Sequence, residues 1–253
     1  MFGHERRQQI MTWAKQHGRI NVKEVARSLA VTTETVRRDL TDLEQRGLVR
    51  RVHGGAILTE QATLEPEVFT RSVTMTAEKR RIAARAVTEL PGEGVVYVDA
   101  GTTAGHLADL VPQDCRATIV TNSLPFALNA VSTGRRNVML IGGHIRPITL
   151  ASVGPWSIRD LDRISVDVAF MATNGLSVRR GLTTPNPDEA ATKRAAVNAA
   201  GRVILLADHS KIGRDYLETF ADLDQIGMLI TDSGARSDDV AALRQEGLAV
   251  EAV

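Results

Sequence analysis

From Val95 onward one pattern repeats. Short apolar runs rich in β-branched residues, VVYVDAG, ATIVTN, NVMLIGG, VDVAFMAT, RVILLADH and IGMLITD, alternate with stretches of helical spacing near 103–111, 124–132, 155–161, 187–200 and 238–246. Runs that lack polar alternation need cover on both faces. They fit a largely parallel sheet between helices, an α/β domain of the doubly wound kind. A helix near Thr76, with Ile82, Ala83, Ala86, Val87 and Leu90 on one face, leads into it and stops at Pro91-Gly92. No apolar run approaches the ~18 residues of a membrane span. The first 20 residues are charged throughout and lack the apolar core of a secretory signal. A single cysteine, Cys115, allows neither an internal disulfide nor a multi-cysteine metal site, and the six histidines show no ligand spacing. The expectation is a cytoplasmic protein with no membrane, metal or cofactor requirement.

Charge is distributed unevenly. The net charge of +1 hides a head, residues 1–57, with eleven Lys/Arg against six Asp/Glu, on a mildly acidic remainder. A basic head suggests a polyanion-binding module joined to something with another task. Three helices are predicted in it. The first runs from about Glu5 to Gln16, with Ile10, Trp13 and Ala14 at helical spacing, and Gly18 stops it. The second starts at the N-cap Asn21 with Glu24 in capping-box position, and its stripe is Val22, Val25, Ala26 and Leu29. After the short Ala30-Val31 connection the third starts at Thr32 or Thr33. It runs to about Arg46, burying Val36, Leu40 and Leu43, with Gly47 as its C-cap. Two short helices with a tight turn, the second carrying Arg37 and Arg38, describe a helix-turn-helix. LVRRVHGGAIL then reads as a β-hairpin turning at His53-Gly54-Gly55, the basic wing of a winged variant. The alternative is a three-helix packing module with a solvated charged face.

VKEVARSLAVTTETVRRDLTDLEQRGLVRRVHGGA resembles the N-terminal domain of the DeoR family of bacterial sugar-metabolism regulators. The match to that family's pattern runs from Val31 to Leu40 and from Leu48 to Ala56, departing at Thr32, where Ser is usual. In such a module Thr33, Glu34 and Thr35 stand where a recognition helix reaches base edges. Arg37 and Arg38 read guanine or clamp phosphate. Asp39 orients an arginine, because a carboxylate facing phosphate would repel it. Arg50, Arg51 and His53 are expected to touch the DNA backbone from the wing.

Residues 58–75 read as a linker and 76–253 as the second domain. In an open α/β sheet, ligands bind beyond the carboxyl ends of the strands. The polar residues there are Asp99, Gly101, Thr102 and Thr103, then Asn122 and Ser123, Gly142, Gly143 and Arg146, Asn174 and Gly175, and Asp208, Ser210 and Lys211. Gly101-Thr102-Thr103 at a strand-to-helix turn offers N–H groups and hydroxyls to an anion. Plainer roles exist for each. Glu189 and Lys193, four apart on a helix, form a surface ion pair in the simplest reading. Lys211 caps a helix, Arg146 is a solvated loop residue, and Asp99 bonds its own turn.

VDAGTTAGHLADL, VTNSLPFALN, LIGGHIRP, DVAFMATNGLSVRRGLTTPNPDEAATKRA and LLADHSKIGR are similar to the sensor domain of the same family. That domain shares its fold with ribose-5-phosphate isomerase, glucosamine-6-phosphate deaminase and the CoA transferases. The resemblance implies a phosphorylated-sugar site, with Gly101, Thr102 and Thr103 as phosphate cradle and Asn122 and Ser123 beside it. Asp99 suits contact with sugar hydroxyls, and Arg146, Glu189, Lys193 and Lys211 match positions that face the ligand or hold the site. A sugar-phosphate isomerase or deaminase with an accessory head is the competing class. The catalytic acidic motifs of those enzymes are not visible, and regulation accounts directly for the head. The expectation is a repressor of sugar uptake and catabolism genes. It binds operator DNA as a homodimer or tetramer, since one winged module makes few base contacts. A phosphorylated sugar releases it. A similarity to actinobacterial regulators of phosphotransferase systems makes fructose 1-phosphate or fructose 1,6-bisphosphate the first choice of effector.

Overall fold

The computed structural model describes residues 3–45, 49–52, 54–58, 68–135 and 137–253. The chain divides into two compact units, Met1–Arg71 and Ser72–Val253.

In the first unit, helix α1 (Gly3–His17) ends where Gly18 turns left-handed (φ 72°) and donates its N–H to the Ala14 carbonyl. The strand β1 (Arg19–Asn21) follows, and then α2 (Val22–Ser28), capped by the Asn21 side chain, which accepts from the N–H groups of Lys23 and Glu24. Ala30, left-handed at φ 53°, makes the tight turn into α3 (Thr33–Gln45). The strands β2 (Val49–Val52) and β3 (Gly55–Leu58) form the expected hairpin. β1 also pairs with β3, so the wing is a three-stranded sheet, not a two-stranded ribbon. That third strand has only three residues and no alternation long enough to read. Its approach explains Gly55, where a Cβ would lie 1.8 Å from the Ile20 carbonyl oxygen. Ile10, Ala14, Ile20, Val25, Val36, Leu40, Leu43, Val49 and Ala56 close the core. Gly47 and His53, expected as a helix cap and a wing contact, lie outside the described residues.

A five-residue helix, Val68–Ser72, falls within the stretch expected to be a connector. In the second unit the helix Thr76–Ala86 leads into a seven-stranded parallel sheet. Its strands are β4 (Val95–Val98), β5 (Thr118–Thr121), β6 (Val138–Leu140), β9 (Val166–Met171), β12 (Ala200–Leu206), β14 (Met228–Thr231) and β15 (Val250–Ala252), in the order β15-β14-β12-β9-β4-β5-β6. All six apolar runs of the sequence are strands of this sheet, and β15 is the one not anticipated. The chain winds outward from β4 to β6, then returns to β9 on the other side and winds outward to β15. The crevice where the winding reverses, between β4 and β9, is where an open α/β sheet takes ligands. Helices cover both faces over two apolar clusters, one around Tyr97, Met171 and Leu205, the other around Val96, Phe126 and Phe170. Two small antiparallel additions carry site residues. One is the ribbon β7 (His144–Arg146) with β8 (Ala151–Val153), the other the sheet of β10 (Gly175–Ser177), β11 (Gly181–Thr184) and β13 (Glu218–Ala221).

Candidate functional site

The head presents a concavity of about 750 Å³ lined by Arg6, Arg7, Arg37 and Arg38 together with Glu34, Asp39 and Asp42. Its carboxylates are matched from within. Asp39 is buried and accepts from Arg6 Nε at 2.5 Å and Arg6 Nη2 at 3.1 Å, while Arg7 Nε lies 3.0 Å from Asp42. These pairs fasten α1 to α3 and remove the negative charge that would oppose a polyanion. Thr32 caps α3, its hydroxyl accepting the Thr35 N–H at 3.1 Å, and Thr33 and Glu34 form the first turn. Arg37 reaches Glu34 at 3.3 Å, and both are exposed. Arg38 and Arg50 are exposed with no ion-pair or hydrogen-bond partner among the described residues. Arg51 departs from the expectation of a phosphate contact. Its guanidinium folds back to donate to the Arg37 carbonyl and Thr41 Oγ1, both at 3.3 Å, and its N–H donates to Glu44 Oε1 at 2.8 Å. Arg51 holds the wing against α3.

In the second unit the switch-point crevice is built around Asp99. This carboxylate, 1% exposed, accepts the N–H of Ala100 at 2.9 Å and of Ala172 at 2.9 Å, and pairs with Lys193 Nζ. It therefore ties the end of β4 to the end of β9. Asn122 reinforces the same loop, accepting the Ala100 N–H at 3.0 Å and donating to the Ser152 carbonyl at 3.1 Å. Gly101 is required by packing across the switch point, since a Cβ there would meet Ala172 Cβ at 2.4 Å. Thr102 and Thr103 then open a four-residue helical turn, Thr102–Gly105. The N–H groups of Gly101, Thr102 and Thr103 have no protein acceptor among the described residues. Ser123 caps the helix Leu124–Ser132, taking the Phe126 N–H on its hydroxyl.

Glu189 and Lys193 depart most from the simplest expectation. The helix Pro187–Ala199 starts at the N-cap Asn186, whose side chain accepts the Glu189 N–H, with Pro187 in its first turn. Pro187, Asp188, Arg194 and Asn198 are exposed along one side of it, while Glu189 and Lys193 lie on its Ala-rich inner face at 4% exposure. They are not a surface pair with each other. Lys193 turns to Asp99 and the Ala172 carbonyl (3.0 Å), with the Phe220 ring 5.4 Å away. Glu189 takes Arg146 Nη1 at 2.8 Å and the hydroxyls of Thr149 at 2.5 Å and Thr184 at 3.4 Å. Arg146, on β7, is buried and not a solvated loop residue. Burial pushes the Glu189 carboxyl up, but Arg146 and Lys193, with the bonds from Thr149 and Arg146, outweigh it and hold it below the ordinary carboxylate range. At Asp99 burial prevails over Lys193 and the carboxyl is raised. Thr149 and Thr184 were not anticipated; a threonine in a loop or strand carries no signal until its carboxylate is known. Lys211 ends the turn His209–Lys211 beyond β12 and is half-buried.

The domain order, the winged head and the sensor sheet correspond to two family models. A DeoR-like helix-turn-helix domain matches residues 6–62, and a DeoR C-terminal sensor domain matches residues 74–233. The chain belongs to the DeoR family of transcriptional regulators. It is 38% identical over 246 residues to the HTH-type transcriptional regulator GlpR of Haloferax volcanii, covering 97% of this chain and 96% of that protein. It is 33% identical over 229 residues to the uncharacterized HTH-type transcriptional regulator FruR of Bacillus subtilis, covering 90% and 91%. To a putative aga operon transcriptional repressor of Escherichia coli O157:H7 it is 32% identical over 249 residues, covering 97% and 92%. These relatives do not support a particular kinship with actinobacterial members. Among solved structures, ribose 5-phosphate isomerase A of Methanocaldococcus jannaschii aligns over 55% of either chain, with 15% identity and a TM-score of 0.41; a likeness of that extent carries no functional weight. The chain is a regulator and not an enzyme. No helix among the described residues is long and apolar enough to cross a membrane.

Proposed function

We propose that this DeoR-family member is a cytoplasmic repressor of sugar uptake and catabolism genes, acting as a homodimer or tetramer and released from its operator by a phosphorylated sugar. The observation that carries the reading is the contrast in charge use. The head leaves Arg38 and Arg50 without partners on its surface, as a polyanion reader needs. The body pairs its buried charges and leaves the N–H groups of Gly101, Thr102 and Thr103 open at the switch-point crevice. The relative named a putative aga operon repressor supports the sign of regulation. In this reading Gly101, Thr102 and Thr103 cradle the phosphate. Asp99, Asn122, Ser123, Arg146, Glu189 and Lys193 hold the crevice around the sugar. Lys211, in the turn beyond β12, adds positive charge on the same side of the sheet.

Fructose 1-phosphate and fructose 1,6-bisphosphate are the first effectors to try. The test is an anisotropy titration of the full-length protein on a labelled fragment of its own promoter, with and without each sugar phosphate at one fixed salt concentration. A 5–150-fold loss of affinity on adding one sugar phosphate, with no effect of the unphosphorylated sugar, is expected. Tighter DNA binding with the sugar phosphate, or no binding to any promoter fragment, would overturn the reading.

A further inference from the structure

The two edges of the parallel sheet are finished differently. At β15 the outward carbonyl of Val250 is taken by Arg244 Nη2 at 2.8 Å, and Glu251 is paired with Arg85 at 2.5 Å. This edge is blunted by charge and occupied backbone groups, the usual protection against pairing with another strand. At β6 no side chain takes an outward backbone group among the described residues, and only the strand's shortness limits pairing. Ile119 donates to the Asn137 carbonyl and Ile141 donates to the Thr121 carbonyl, so residues 137, 139 and 141 turn their backbone toward β5. By the alternation of a strand, Val138 and Leu140 turn theirs outward. No Lys, Arg or Pro stands on Val138–Leu140.

Apolar side chains gather at this edge. Of the eleven large apolar side chains exposed among the described residues, six flank β6. Met139 and Leu140 lie on the strand itself. Leu128 and Val131 share a face of the helix Leu124–Ser132, which packs on β6. Ile145 follows on β7, and Trp156, 68% exposed, precedes Ser157, whose hydroxyl bonds the Gly142 carbonyl just past β6. They are between 37% and 68% exposed, and apolar side chains grouped in this way mark an interaction surface.

We propose that two copies of this chain associate across the β6 edge, the strands running antiparallel about a two-fold axis so that the two sheets become continuous and the flanking apolar side chains meet their symmetry mates. A short strand with a self-complementary surface on both sides suits an isologous contact. The choice of a second copy as occupant rests on the reading that the head works in symmetric pairs on DNA.

The experiment is light scattering after size exclusion on the full-length protein at tens of micromolar. Wild type, Leu128→Lys/Met139→Lys and Leu140→Pro are compared, with circular dichroism melts as a check on folding. Both lysine positions are exposed, and the proline removes only an outward N–H. The wild type should run at twice the 27.4 kDa chain mass, or at a further doubling, and each variant should show half the wild-type mass with a retained melt. A monomeric wild type, or either folded variant at unchanged mass, overturns the proposal. If no promoter fragment is bound by any of the three proteins, the repressor reading fails, while the masses still decide the interface.

Discussion

The two charged regions of this chain solve opposite problems. In the head, the buried Asp39 and the partly exposed Asp42 are matched by Arg6 and Arg7, which leaves Arg38 and Arg50 exposed and without partners among the described residues. In the body, Asp99, Lys193, Glu189 and Arg146 are all nearly inaccessible and paired with one another. Surface cations cost little to leave unpaired in water and bind phosphates by releasing counterions. Interior charges cannot be left so, because desolvation is offset only by a close partner. The head is therefore built to attract any polyanion, and the body to hold a fixed crevice in which a ligand must fit.

That contrast is open to attack at several points. The largest effect should come from Lys193→Met, which keeps the side chain's bulk but leaves the Asp99 carboxylate buried without its cation. A loss of about 3–5 kcal/mol is expected in urea unfolding of the full-length chain. A loss under about 1 kcal/mol would mean that the crevice does not depend on the pair. In the head, Arg37→Ala/Arg38→Ala should leave unfolding unchanged while weakening operator binding by about 1–3 kcal/mol per arginine that reads a base. Each phosphate contact removed should also flatten the log–log salt slope by roughly one. Unchanged affinity would show that the exposed cations of α3 do not reach DNA.

Thr102→Asp sets like charges together in the cradle. This variant should keep its operator affinity and lose the release of about 1–3 kcal/mol expected on adding sugar phosphate. A wild-type response would place the phosphate elsewhere. Arg51→Ala removes two hydrogen bonds between wing and α3 and should cost about 1 kcal/mol in stability. If Arg51 only positions the wing, the salt slope of DNA binding stays as it was; a slope flatter by one would make it a phosphate contact instead. The smallest effect is on pH. The Glu189 carboxyl is held below its ordinary range, so its contribution is present above the unfolded carboxylate pKa and is lost as pH falls through the depressed folded value. Asp99, raised mainly by burial, acts in the opposite sense and gains as pH falls through its raised value toward the unfolded one. Chemical unfolding of Glu189→Gln between neutral and acidic pH should therefore show a smaller acid loss than wild type. An identical pH profile would mean that Glu189 is not held low.

Much of the architecture could be read directly from the chain. Continuous apolar runs marked the six strands, and the helices Leu124–Ser132, Pro155–Leu161 and Ser237–Gln245 fell within a residue of the spacing that predicted them. Local signals were enough because each of these elements answers to its own neighbours: Asn21 caps α2 within three residues, and Gly18 stops α1 by its own conformation. The additions around the crevice were not legible, since β7, β8, β10 and β11 are three or four residues long and have no period to detect.

Sequence alone determined the two-part organisation, the helix-turn-helix with its wing, the parallel sheet and the positions from which a site is drawn. Tertiary structure decided what those positions do. Lys193 finds its partner 94 residues away at Asp99, and Glu189 finds Thr149 40 residues away. No local pattern distinguishes those contacts from a surface pair four apart. Arg51 likewise turns from solvent to the Arg37 carbonyl only because the wing folds onto α3. A helix or a strand is set by interactions within a few residues. The partner of a buried charge is set by which strand ends meet at the reversal of the sheet, and only the assembled fold contains that information.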